Sequence, residues 1–167
     1  MITSNLRSLL LIGSLTLLGA QPVLADRDDD KDEIQTLMWH YARALDTFDA
    51  EAYAAVFTED GEFVSGATSS TKGRQALRDM VSGLKEGREQ RAANGETVAP
   101  MYHMTADTWI EFIDDNRALH HSYWMTVFGA TGPGTTPNVA AAGRGVDEVV
   151  KINGKWLIKS RDVAPQD

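Results

Sequence analysis

The chain has 167 residues, no cysteine and a formal net charge of −8. Nucleic acid and anionic membrane are excluded as natural partners by that balance, since both repel an acidic surface. The absence of cysteine excludes disulfides, thiolate chemistry and a lipid-modified cysteine anchor.

Met1–Arg7 is a short basic start, and Leu9–Leu18 is an apolar run too short to span a bilayer comfortably. Val23-Leu24-Ala25 sets small residues at the positions a signal peptidase reads. Residues 1–25 are therefore expected to be a cleaved secretory leader, and the working protein to act in the periplasm or outside the cell. The leader holds one of the 16 Lys+Arg and none of the 24 Asp+Glu, so the mature net charge is −9. About 140 residues remain, which makes one domain with room for one core. No later apolar run is long enough to cross a membrane. Residues 26–33 carry six acids and two bases, and read as a solvated acidic lead-in that caps a helix.

Ile34, Leu37, Met38, Tyr41 and Leu45 form one apolar helical stripe. Thr47-Phe48-Asp49 ends it, and Asp49 is placed to cap a short second helix running to Phe57. Asp60-Gly61 reads as a turn, Glu62–Ser65 as a short strand, and Gly66–Thr71 as loop. Gly73 to about Arg91 reads as a third helix with Leu77, Met80, Val81 and Leu84 on one side. Two long strands follow, Met101–Ile113 and Arg117–Gly129, joined at Asp114-Asp115-Asn116. Ala130–Ala142 is the longest loop. Gly143–Ile152 and Lys155–Val163 form a hairpin over Asn153-Gly154, a dipeptide suited to a type I′ turn. Helices first and an antiparallel meander after them define an α+β fold, with helices packed on one face of a curved sheet.

A strongly curved sheet leaves space over its helices, and thirteen aromatics are available to line it. Tyr41, Tyr53, Phe57, Phe63, Tyr123 and Met125 are the candidate pocket residues, although any one of them also fits a plain core. His103, early in a long strand, is the candidate general base, because an imidazole titrates near working pH. Asp46, at the end of the first helix, is the candidate orienter of its ring. A hydrogen-bonded core histidine and a helix-end aspartate is the other reading the residues allow. Arg144 and Arg161 are candidate anion stabilisers, or partners for the acidic surface.

A metal site is not expected. In a tight hairpin, paired residue numbers sum to about 230, which sets His103 and His121 about 20 Å apart along the strands. His120 and His121 point to opposite faces, and His40 lacks an HExxH context. No nucleophile elbow, dinucleotide fingerprint or P-loop is present, so no cofactor is expected either.

Four segments together resemble the SnoaL-like branch of the nuclear-transport-factor-2-like superfamily. They are YARALDTFDAEAYAAVFTEDGEF (Tyr41–Phe63), KGRQALRDM (Lys72–Met80), MYHMTADTWIEF (Met101–Phe112) and GRGVDEVVKINGKWLIKSRDV (Gly143–Val163). The resemblance implies one domain over residues 34–167. Its fold would be a cone-shaped, curved antiparallel sheet wrapped around N-terminal helices, a cystatin-like α+β barrel with a hydrophobic pocket, often in a homodimer. Dehydratases and dehydrochlorinases of this type carry an Asp matching Asp46 and a His matching His103. There the His removes a carbon-bound proton and the Asp orients it. The implied activity is a cofactor-independent lyase or isomerase acting on a small apolar or aromatic molecule. A non-catalytic small-molecule-binding module of the same fold is the alternative. Leu45 stands where scytalone dehydratase has a Tyr, and that enzyme's second active-site His falls on the strand ending here in Val127-Phe128-Gly129, so its substrate is not implied.

Overall fold

The structure, a computed structural model, describes residues 23–166. The expected leader, residues 1–25, lies outside these residues except for its last three, which open the first helix. Three helices come first: α1 (Val23–Asp46), α2 (Ala50–Ala55) and α3 (Arg74–Ala93). Between α2 and α3 lie β1 (Phe57–Gly66) and β2 (Ser69–Lys72). The chain then runs through β3 (Met101–Asp114), β4 (Arg117–Phe128), β5 (Asn138–Ile152) and β6 (Lys155–Asp162). The six strands form one curved, unclosed sheet in the order β2-β1-β6-β5-β4-β3.

The α+β architecture matches the expectation, with one refinement: the sheet is mixed. β1 pairs with β6 in parallel, and every other pairing is antiparallel. The segment Gly66–Thr71, read as loop, holds all but the last residue of β2, which folds back on β1 as a hairpin. Asp60-Gly61, read as a turn, lies inside β1, where the register with β6 breaks. A Cβ on Gly61 would sit 2.8 Å from that of Phe57, so the strand needs glycine there to pass its own neighbour closely.

All five residues of the α1 stripe are buried, and they pack with Tyr53, Phe57, Leu77, Val81, Val149, Trp156 and Ile158 into one core. Each large apolar side chain so buried contributes roughly 1.5–3 kcal/mol. Leu84, expected on the same side of α3 as the buried Leu77 and Val81, is exposed. Asp49 caps α2 as expected, its carboxylate accepting from the Ala52 amide at 2.9 Å. Asn153 and Gly154 both have positive φ, as a type I′ turn requires.

Residues 26–33 are not a lead-in but part of α1. Asp30 is buried there, accepting hydrogen bonds from Lys151 Nζ and Trp156 Nε1, both at 2.7 Å. Burial alone would raise its pKa. The hydrogen bonds from Lys151 and Trp156, with the charges of Lys151 and Arg27, outweigh that and lower it. A depressed folded-state pKa adds stability that is present above the unfolded value, near 3.9, and lost as pH falls through the folded one. Replacing Asp30 by Ala should cost roughly 1.5–3 kcal/mol in urea unfolding at pH 7. That difference should shrink below about pH 4; a difference independent of pH would show that Asp30 is not held as an anion.

Candidate active site

Asp46 is the last residue of α1, and the chain leaves it through a defined stop. The Asp49 amide donates to the Ala44 carbonyl at 2.9 Å and the Phe48 amide to that of Leu45 at 3.2 Å, a Schellman arrangement. Phe48 occupies the left-handed position at φ 55, where glycine is usual. The Arg88 guanidinium lies 4.7 Å from the Phe48 ring centroid, and its Nη2 donates to the Ala99 carbonyl. Arg88 thereby links the end of α1 to the run into β3.

His103 reaches Asp46 because β3 is not a regular strand. Near the turn, Trp109 pairs with His121 and Ile110 with His120, as a numerical sum of 230 requires. Beyond Ala106↔Tyr123 the register has moved by one, so that His103 faces Thr126 rather than Val127. Asp107 and Thr108 together oppose Ser122, and Asp107 takes a left-handed φ of 48. This is a β-bulge, and it exchanges the two faces of the strand. Ile110 and Phe112 point to the helices on one side of it; on the other, Met101 and His103 do. Without the extra residue His103 would lie on the outer face with Trp109.

The Asp46 Oδ1 atom accepts twice from His103, from the backbone amide at 2.8 Å and from ring Nδ1 at 2.7 Å. A carboxylate can only accept, so Nδ1 carries a proton and, in the neutral ring, Nε2 keeps its lone pair. The two side chains are 12% and 19% exposed, mostly withdrawn from water yet reachable. His103 lines a cavity of about 290 Å³ between α1 and β3–β4, together with Gln35, Met38, Trp39, Thr105 and His120. A wider groove of about 750 Å³ lies between α1, α2 and the β5–β6 turn. His103 and His120 line the smaller cavity and not this groove.

A second polar row crosses the sheet beside it. His120 on β4, Asp147 on β5 and Arg161 on β6 are direct cross-strand neighbours, all buried. His120 Nδ1 donates to Asp147 Oδ2 at 3.0 Å, and Arg161 Nη1 donates to the same oxygen. Burial works against the charge of Arg161, but Asp147 together with Tyr41 and Tyr53 outweighs it and holds the guanidinium above the ordinary arginine value. The Arg161 guanidinium also lies 4.4 Å from the Tyr41 ring centroid. Tyr53 packs against Tyr41, and burial raises its hydroxyl pKa well above the usual phenol value.

The structure thus brings Asp46 and His103 together and separates the other expected residues from them. Tyr41, Tyr53 and Phe57 are closed into the core, and Phe63 packs against its edge. Tyr123, Met125 and Arg144 lie on the opposite face of the sheet, because the inward positions of β4 and β5 are those of His120, Ser122, Asp147 and Val149. Arg144 lines a shallow outer groove with Glu148 and Asp162. Arg161, expected to stabilise an anion or to pair at the surface, is buried against Asp147. The sequence reading missed His120, Thr105 and Gln35. The alternation that sets His120 and His121 on opposite faces was visible, but not which face turned inward. Among the described residues, no three His, Asp or Glu side chains are grouped to hold a metal ion.

A family profile for the SnoaL-like domain matches residues 26–162. The chain belongs to the SnoaL-like domain family. Among solved structures, a Mycobacterium tuberculosis protein of unknown function is 24% identical with a TM-score of 0.71, over 89% of this chain and 78% of that one. A Novosphingobium aromaticivorans protein assigned provisionally as a scytalone dehydratase is 21% identical with a TM-score of 0.68, over 87% and 89%. Another protein from that organism, described as nuclear-transport-factor-2-like with a cystatin-like fold, is also 21% identical at 0.68, over 86% and 90%. These likenesses establish the fold. No protein of curated function matches significantly.

Deleting Thr108 should remove the bulge and turn His103 outward. Asp46 would lose both hydrogen bonds, at roughly 1.5–3 kcal/mol for each bond to a charged group, while the far-ultraviolet circular dichroism stays native. A crystal structure of this variant with His103 still on Asp46 would contradict the assignment.

Proposed function

We propose that this is an exported, cofactor-independent lyase or isomerase that removes a carbon-bound proton from a small, mostly apolar or aromatic molecule. The observation that carries the reading is the 2.7 Å Asp46–His103 contact, with the same imidazole on a small cavity. In this reading His103 Nε2 takes the proton. The electron pair of the broken C–H bond forms a new double bond, as a group leaves the adjacent carbon or as a proton returns elsewhere. Asp46 is a positioning residue that fixes the tautomer and stabilises the imidazolium. Gln35, Thr105 and Thr108 are neutral groups on the cavity wall able to bond a leaving or carbonyl oxygen. Met38 and Trp39 supply apolar surface from α1.

Two further parts of the reading have their own support. The signal-like residues 1–25 favour export, and N-terminal sequencing of exported protein should begin near Asp26. Tyr102, Met104, Trp109, Tyr123, Met125 and Val139 expose an apolar strip on the outer face of β3–β5. A strip of that kind suits a second copy of the chain. Trp109→Glu with Tyr123→Glu should convert a sedimenting dimer to a monomer, and an unchanged mass would exclude this face.

The test of the activity begins with mass spectrometry of what the protein retains from a mixed metabolite extract. With a turned-over compound in hand, His103→Gln should lower kcat by about 10²–10⁴-fold, with ligand affinity largely kept. Asp46→Asn should be milder. Wild-type turnover without His103 would move the chemistry to another group. Tight ligands with no conversion in any screen would instead support a binding module of the same fold.

A further inference from the structure

The row behind the cavity has no role in the step above, and its composition is costly. His120 and Arg161 are 1% and 3% exposed and Asp147 is fully buried. A buried ion pair of this kind contributes little net stability, since apolar residues of equal volume generally do as well or better. The row is not even fully satisfied. Asp147 Oδ1, Arg161 Nε and the neighbouring Ser122 Oγ are buried without hydrogen-bond partners. Such groups in a folded protein call for a reason other than packing.

One member of the row reaches the cavity. His120 lines it beside His103, approached from β4 rather than β3. Asp147, ion-paired with Arg161, accepts from both neighbours, so the proton on His120 sits on Nδ1. In the neutral imidazole Nε2 is then a lone-pair acceptor. Met38, Trp39 and Ala42 add apolar surface from the helix side.

We infer that His120 is a specificity-determining residue that accepts a hydrogen bond from a hydroxyl group on the ligand, so that the natural substrate is a small neutral alcohol or phenol. Asp147 and Arg161 are positioning residues that fix the tautomer. The inference rests on the reading of this cavity as the ligand site, but not on His103 acting as a base. An ether or hydrocarbon of the same shape leaves the acceptor unpaired, and one net hydrogen bond corresponds to roughly 3- to 10-fold in affinity.

Phenol and anisole are suitable probes, since anisole keeps the ring and oxygen but has no proton to donate. Calorimetric titration of the wild-type protein should show phenol binding roughly 3- to 10-fold tighter than anisole. The preference should vanish in His120→Phe and persist in His103→Gln. Nitrogen NMR of the labelled wild-type protein needs no variant to fold. It should find His120 protonated on Nδ1, with an Nε2 resonance that moves on adding phenol and not on adding anisole. Equal binding of the two probes, binding of neither, a shift confined to His103, or His120 protonated on Nε2 would each overturn the inference. If the phenol preference maps to His120 while no proton abstraction is found in any screen, the substrate class stands and the catalytic reading alone falls.

Discussion

Two single-residue bulges determine what the interior of this sheet contains. A regular strand sends alternate residues to opposite faces, so one extra residue reverses every side chain beyond it. In β3 the pair Asp107–Thr108 does this and brings His103 inward. In β6 the residue is Lys159, which lies between Ile158, paired with Val149, and Ser160, paired with Glu148. Ile158 and Arg161 can then both face the helices, one in the core and the other against Asp147. Straight strands of the same sequence would turn His103 and Arg161 outward and their neighbours inward instead. The cost is an unpaired backbone position in each strand, and in β3 a non-glycine residue in left-handed geometry. Aspartate tolerates that conformation better than most residues.

The end of α1 supplies the other half of the site. A carboxylate in the last turn of a helix faces the negative end of the macrodipole, an unfavourable place for an anion. Asp46 is compensated by two donors from His103. The same field favours a cation, so an imidazolium formed at His103 would be stabilised by both the helix end and the carboxylate. The Phe48 stop and the Arg88 bridge to Ala99 hold these two elements at a fixed separation.

Much of this was legible in the sequence, and the parts that were not share a cause. The α1 stripe, the Asp49 cap, the Asn-Gly turn and the long hairpin are local patterns, and each formed. His103 and Asp46 stood out by residue type and by family likeness. Which face a strand turns inward depends on register across the sheet, which local pattern does not encode. That is why Tyr123, Met125 and Arg144 were placed in the pocket and His120 was not. Asp107, a poor strand former in the middle of a strand, was the one local sign of the bulge. The burial of Asp30 is hidden from the sequence for a similar reason. Its partners, Lys151 and Trp156, lie more than a hundred residues away.

The central claim is that His103, held by Asp46, acts as a base toward carbon. Deuterium uptake tests it without knowledge of the complete reaction. The protein would be incubated in D₂O with a panel of small carbonyl compounds and β-hydroxy carbonyl compounds, and each compound weighed by mass spectrometry. The account predicts that at least one compound gains a single deuterium at the carbon next to its carbonyl, at a rate that falls by about 10²–10⁴-fold in His103→Gln. Equal uptake with and without His103, or no uptake across the panel, would contradict it.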